Sequence, residues 1–155
     1  IYRCITAVLP LGPVLVVDSD SVDDTRELAK SAGAEVLNFQ WDGRFPKKRN
    51  WILRTYEFDT DWVLFVDADE IVSTAFIEEV NEAIRDTDKV GFWLNFENHF
   101  MGRKLQGGDP FRKLALFRVG AGEYEYIDLA SEEKYFPVVQ RSTEALTSIA
   151  SELGL

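Results

Sequence analysis

The chain has 155 residues, 46% hydrophobic and 13% aromatic, enough to bury one substantial core, so a disordered chain is excluded and a single domain over 1–155 is expected. Its 17 Lys and Arg against 27 Asp and Glu leave a net charge of −10, which argues against nucleic acid as a partner, because nonspecific phosphate-backbone binding needs clustered cations. A single cysteine, Cys4, can make neither an internal disulfide nor a cysteine zinc site and reads as a small buried apolar residue in a reducing compartment. No apolar stretch approaches the ~20 residues needed to span a bilayer.

In chain order, Ile5, Val8 and Leu9 at helical spacing predict a short helix over 2–9, ended by Gly12-Pro13. An apolar strand follows at 14–17. Ser21 with an acid three residues later resembles a capping box opening a helix whose inner face is Thr25, Leu28, Ala29 and Ala32, closed by Gly33. A second strand spans 34–37. Pro46 is placed to start a helix through Trp51, Ile52 and Tyr56. The unbroken apolar run Trp62 to Val66 reads as a strand buried on both faces, and Ser73 or Thr74 caps a helix that turns Phe76, Ile77, Val80 and Ile84 inward.

Beyond residue 88 the pattern changes. Residues 91–100 alternate, with Phe92, Leu94, Phe96 and Phe100 opposite Asn95, Glu97 and His99, as in a half-exposed strand. A glycine-rich loop, "MGRKLQGGDPF", leads to another strand in "RKLALFRV". The segment from Ser142, with Leu146, Ile149, Ala150 and Leu153, has the spacing of an amphipathic terminal helix that packs on its own chain. The first half therefore predicts βαβα with a mostly parallel sheet, and the second a mixed extension of it.

Two strands end in acids. Trp62 to Val66 runs into Asp67-Ala68-Asp69-Glu70, and Val14 to Val17 runs into Asp18-Ser19-Asp20. The carboxyl ends of strands are where open α/β sheets bind ligands. A turn at such an end lets two nearby aspartates reach one hard cation, Mg²⁺ or Mn²⁺, with positions left for phosphate oxygens. That cation would neutralise a departing diphosphate without proton transfer. Lys47-Lys48-Arg49, a basic cluster in so acidic a chain, could donate to the same phosphates from a helix start. A solvated strand-to-helix turn is the plainer account of an isolated aspartate pair. The apolar lead-in, the second acidic rim and the basic cluster weigh jointly against it.

"VLVVDSDSVDDTRELAKSAGAEVL", "PKKRN" and "DWVLFVDADEIVS" together resemble the nucleotide-sugar-binding half of the inverting family-2 glycosyltransferases. Their pattern is a strand ending Asp-Asp-Gly-Ser-x-Asp-x-Thr, a later Arg-Asn, and a strand ending Asp-x-Asp. "FMGRKLQGGDPFRKLALFR" further resembles bacterial members that build lipopolysaccharide or exopolysaccharide. The resemblance implies a GT-A-like, Rossmann-like fold with a mostly parallel sheet carrying helices on both faces. Residues 1–88 would be the nucleotide-sugar half, 89–126 the acceptor side and 127–155 an unassigned tail.

The same resemblance implies the residue roles. Asp18 would contact the base or ribose, Asp67 the ribose and diphosphate, Asp69 the metal with Asp67 beside it, and Arg49 the nucleotide with help from Lys47 and Lys48. Ser19 replaces the pattern's second aspartate and Asp20 its glycine, while Asp23 and Thr25 match the later positions that hold the turn. The substrates would be a nucleotide sugar such as a UDP-sugar and a glycan or lipid-linked acceptor, handled in the cytoplasm or at the inner membrane face. An inverting transferase also needs a carboxylate base. Asp109 in "GGDPF" is the candidate, with Glu123 or Asp128 behind it.

The family's first strand, with an Asn-Glu loop, is not found before the helix at 2–9. A sheet lacking it would expose an edge that favours homo-oligomers. Two other readings remain open: a transferase domain that binds nucleotide without catalysis, and a haloacid-dehalogenase-like phosphatase using the Asp-x-Asp-x-Val run at 18–22, with Asp18 as nucleophile. The phosphatase would need a later acidic pair that the chain does not offer. His99 has no second histidine with which to share a metal. Trp41 and Trp93 could stack on a sugar, although packing is the commoner fate of tryptophan.

Overall fold

The computed structural model describes residues 1–97, 99–100, 103–104 and 111–124, with 99, 100, 103, 104 and 111 described by backbone alone. The chain forms two compact units, one of Ile1–Tyr56 with Val66–Asp88, the other of Glu57–Phe65 with the chain from Lys89 onward.

The first unit is α/β. Helix α1 (Tyr2–Val8) runs into a 3-10 turn at Leu9–Leu11, then β1 (Leu15–Asp18), α2 (Thr25–Ser31), β2 (Glu35–Asn38), α3 (Lys48–Thr55) and, after residue 66, α4 (Thr74–Ala83). Strands β1 and β2 pair in parallel, Leu15 opposite Glu35 through to Asp18 opposite Asn38, so both end at one rim. The crossover helix α2 covers this pair with its small residues. Ala29 and Ala32 pack with Ile5 and Ala34 into a buried cluster, which Leu9, Val14, Val16 and Val36 border. Ile5 is 1% exposed, and its burial contributes on the order of 2–3 kcal/mol.

Leu28, expected on the inner face of α2, is exposed instead. The helix is short, and its alanines already bring it close to the strands, which leaves the leucine at the flank. Ser73 caps α4 as expected, its hydroxyl accepting from the Phe76 N–H at 3.1 Å, and Val80 is that helix's buried anchor. Helix α3 starts after the predicted Pro46, with Lys47 as its N-cap. Buried Phe39 packs on Trp51 of α3 at 5.2 Å between ring centroids, and the Tyr56 hydroxyl donates to Glu35 at 3.0 Å. These contacts tie α3 to both ends of β2, Glu35 at its start and Phe39 just past its end.

The second unit is antiparallel. Strands β3 (Trp62–Leu64) and β4 (Gly91–Phe96) flank β7 (Phe111–Arg118), and β5 (His99–Phe100) pairs with β6 (Arg103–Lys104) as a separate ribbon. The mostly parallel sheet expected from the sequence is therefore not found among the described residues: β1–β2 is the parallel pair, and β7 runs antiparallel to both neighbours. Burial marks β7 as the central strand but does not set its direction, which its connections along the chain decide. Leu114, Ala115, Leu116 and Phe117 are all buried, as befits a central strand covered on both faces, whereas β3 is half-buried beside it. The clean alternation expected over 91–100 is broken by a register shift between Phe92 and Trp93. A bulge there leaves Phe92, Trp93 and Leu94 all half-buried.

Candidate functional site

Two side-chain clusters, both in the first unit, gather most of the residues singled out in the sequence. The first is built on the turn after β1. Asp18 is 5% exposed, and a buried carboxylate needs partners. Its Oδ2 accepts from the Ser21 backbone N–H at 3.0 Å and from Arg26 Nε at 2.6 Å, and its Oδ1 accepts from the Ser21 hydroxyl at 2.5 Å. Burial alone would raise the Asp18 carboxyl, but the Ser21 and Arg26 hydrogen bonds outweigh it and bring the group down from 3.8 to about 2. Asp18 in turn raises the Arg26 guanidinium, chiefly through the hydrogen bond between them.

Ser21 is thus not the capping-box residue it resembles. Its hydroxyl serves the carboxylate, a stronger charge-assisted bond than a neutral cap, and α2 begins after Asp24 with no side-chain cap. Asp23 takes over locally. It accepts from the Thr25 N–H at 3.1 Å, which holds the helix start as expected, and hydrogen bonding from the Thr25 side chain and then from its backbone N–H lowers the Asp23 carboxyl. Asp20, standing where the resembled pattern has glycine, has φ of 55°. The turn requires a left-handed residue, and Asp is one of the few non-glycine types that adopt it. Arg26 offsets the strain through an ion pair to Asp20 at 3.1 Å, and the same Nη2 reaches Asn38 Oδ1 at 3.1 Å.

The second cluster surrounds the turn Asp67–Glu70. The Glu70 N–H donates to the Asp67 carbonyl at 2.9 Å, and the Glu70 carboxylate accepts the Asp67 N–H at 2.8 Å, so the turn is closed twice. In the sequence Glu70 is only a neighbour of the two aspartates, yet its spacing to Asp67 is that of a residue closing a turn on its own backbone. Buried Cys4 donates Sγ–H to the same Asp67 carbonyl at 3.5 Å. Burial pushes the Cys4 thiol up, and Glu70, Asp69 and Asp67 add to the rise. The cysteine is thus a buried neutral thiol, as the sequence suggested.

With the backbone fixed, Asp67 points its carboxylate at Arg49 of α3, which donates from Nη2 to Oδ1 at 2.7 Å. Asp69 is exposed, and its carboxylate makes no ion pair or hydrogen bond among the described residues. Lys47 is exposed at the N-cap of α3 and Lys48 is half-buried. Asn50, next to Arg49, is 2% exposed and anchors that turn of helix inside the unit. No group of three or more His, Cys, Asp or Glu able to hold a metal ion occurs among the described residues. Mg²⁺ needs no such group, since one or two carboxylates completed by substrate phosphates and water suffice. Asp67 and Asp69 fit that requirement.

The structure brings Arg49 and Asp67 together and places Asp18 in the other cluster. Glu123 is half-buried in the second unit, after β7. Asp109, Asp128 and the terminal helix lie outside the described residues. His99 falls in β5, and Trp93 is half-buried with its Nε1 enclosed and unpartnered among the described residues. Trp41 is 55% exposed, its indole N–H held by the Arg44 carbonyl at 2.8 Å. Among the described residues no helix is long and apolar enough to cross a membrane.

A parallel strand pair joined by a crossover helix, with buried Asp18 at the carboxyl end of its first strand, is an α/β arrangement, and it is at such rims that open α/β sheets take ligands. Comparison with known proteins supplies the family. The family model "Glycosyl transferase family 2" matches residues 1–134, and the chain belongs to that family.

Similar proteins include uncharacterized glycosyltransferases of Rickettsia prowazekii and Rickettsia typhi. Each is 39% identical over 67 residues, covering 43% of this chain and 22% of the relative. A TPR repeat-containing protein of Synechococcus elongatus is 28% identical over 119 residues, covering 75% of this chain and 28% of the relative. The chain thus spans 22–28% of the length of these curated relatives. No solved structure matches.

Proposed function

We propose that the chain is the donor-binding part of an inverting, metal-dependent glycosyltransferase that takes a sugar from a nucleotide sugar, such as a UDP-sugar, to a glycan or lipid-linked acceptor in bacterial surface-polysaccharide synthesis. The observation that carries this reading is the Arg49–Asp67 pair at 2.7 Å on a turn that also exposes Asp69. A guanidinium paired with one aspartate, and a second aspartate two residues on in the same turn, are the residue types that a metal-bound diphosphate calls for.

Asp69 and Asp67 would hold Mg²⁺ or Mn²⁺, which supplies charge neutralisation at the leaving diphosphate. Arg49 is held ready by Asp67, and its guanidinium can hydrogen-bond phosphate oxygens in a fork that an ammonium cannot match. Lys47, exposed at the head of the same helix, adds a second cation within the reach of a long side chain. Glu70 keeps the turn closed, so the two aspartates do not have to be ordered when ligand arrives. The acceptor hydroxyl is deprotonated by a carboxylate as its oxygen attacks the anomeric carbon from the face opposite the diphosphate, which inverts that carbon. Asp109 is the residue we assign to that base. Asp18 is a poor candidate for a phosphatase nucleophile, because it is buried and bonded three times.

The test is release of nucleoside diphosphate from a panel of nucleotide sugars in Mn²⁺, with and without glycan or lipid-linked acceptors. Acceptor-stimulated release that Asp109→Asn removes supports transfer and the base. Binding without release would leave a nucleotide-binding domain with no transferase activity.

A further inference from the structure

We propose that Arg26 is a ligand-facing residue of the nucleotide site, clamped by Asp18, Asp20 and Asn38 so that its remaining guanidinium edge donates to a neutral acceptor on the base or ribose. This inference rests on the nucleotide-sugar reading above. It revises the role of Asp18 from contacting the nucleoside to orienting the residue that does.

The bonding of Asp18 comes first. A carboxylate offers about four acceptor sites, and the Ser21 N–H, the Ser21 hydroxyl and Arg26 Nε take three of them. The Asp18 side chain is 4% exposed, whereas that of Arg26 is 33% exposed. Of the pair, the Arg26 side chain is the partner that meets solvent.

Arg26 is also fixed in direction. Its Nε binds Asp18 Oδ2 at 2.6 Å, and its Nη2 binds Asp20 Oδ1 and Asn38 Oδ1, each at 3.1 Å. The group is planar, so holding Nε and Nη2 sets where the two N–H bonds of Nη1 point. Those two bonds have no acceptor among the described residues. The rotamer entropy that an arginine loses on binding a ligand is therefore already spent on folding. Asp18 and Asn38 face each other at the carboxyl ends of the parallel strands β1 and β2, the rim at which open α/β sheets take their ligands.

Charge narrows the choice of ligand atom. Two aspartates surround this one guanidinium, so the cluster carries net negative charge and disfavours phosphate. A carbonyl, a ring nitrogen or a ribose hydroxyl oxygen suits it. The diphosphate falls to Arg49, which has Asp67 as its ion-pair partner and Lys47 two residues before it.

The test separates the two ends of the ligand. Isothermal titration in Mn²⁺ compares UDP, GDP, CDP and ADP with inorganic diphosphate, for the wild type, Arg26→Gln, Arg26→Lys and Arg49→Ala. Circular dichroism checks the fold, and Arg26→Lys keeps the cation beside Asp18 should the glutamine variant unfold. We expect both Arg26 variants to bind the preferred nucleoside diphosphate about tenfold more weakly while holding inorganic diphosphate within about twofold, since an ammonium cannot bridge three acceptors and still present an edge. Arg49→Ala should weaken both ligands about tenfold.

Equal losses on both probes, or none, overturn the assignment of Arg26 and leave the nucleotide reading standing. A wild type that binds inorganic diphosphate as well as any nucleotide overturns it too. A wild type that binds none of the probes overturns the nucleotide reading and this inference with it.

Discussion

Replacing Asp18 with Asn removes the charge from the most deeply buried carboxylate among the described residues and keeps its size. In the folded protein that carboxyl lies at about 2 rather than 3.8, a difference of just under two pH units. At about 1.36 kcal/mol per unit this is roughly 2 kcal/mol, and since Arg26 is partly in solvent we expect about 1–2 kcal/mol. The sign follows from the direction of the shift. A carboxyl depressed on folding stabilises fully above its unfolded value, so the contribution is complete above 3.8 and is lost as the pH falls through about 2. Urea unfolding of wild type and Asp18→Asn should differ by about 1–2 kcal/mol at pH 7 and converge towards pH 2. A gap of the same size at both ends would show that the charge of Asp18 is not what stabilises the turn, and would refute the reasoning.

Three further outcomes follow. Asp20→Val should cost about 2 kcal/mol in thermal or urea unfolding, because a β-branched residue resists the left-handed backbone held there, whereas Asp20→Asn should cost under about 1 kcal/mol. Gly91→Ala should destabilise by about 1–3 kcal/mol in the same assay; the added methyl would lie 3.1 Å from Phe117 Cβ and 3.2 Å from the Leu116 carbonyl oxygen. Arg49→Ala should shift stability by less than about 1 kcal/mol, since its pair with Asp67 is solvent-exposed. In titration calorimetry the same variant should weaken nucleotide sugar binding about tenfold.

The sequence made the first unit legible because its signals are local. Apolar runs marked β1 and β2, and Ser73 marked the start of α4 by the same hydroxyl that caps it. Failures came where one residue had two possible partners. Ser21 carries a capping-box spacing to Asp24, but the buried charge of Asp18 is the stronger acceptor, and no spacing rule reports that Asp18 is buried. Glu70 looked like a third acid beside Asp67 and Asp69, while its carboxylate closes the turn by accepting the Asp67 N–H. The antiparallel setting of β7 was hidden for another reason: an apolar run such as "LALF" states that a strand is central without stating its direction, which depends on connections far along the chain. Arg26 does not stand out in the sequence because it sits on a helix face among ordinary charges, and what singles it out is the convergence of Asp18, Asp20 and Asn38 upon it.

The central claim is that Asp67 and Asp69 bind a metal-coordinated nucleotide sugar, and titration calorimetry of nucleotide sugars in Mn²⁺ and in EDTA, on wild type and Asp69→Ala, tests it most directly. Binding that requires Mn²⁺ and disappears in Asp69→Ala, with an unchanged circular dichroism spectrum, is the predicted result. Binding indifferent to Mn²⁺, or an Asp69→Ala variant that binds as well as wild type, would contradict it.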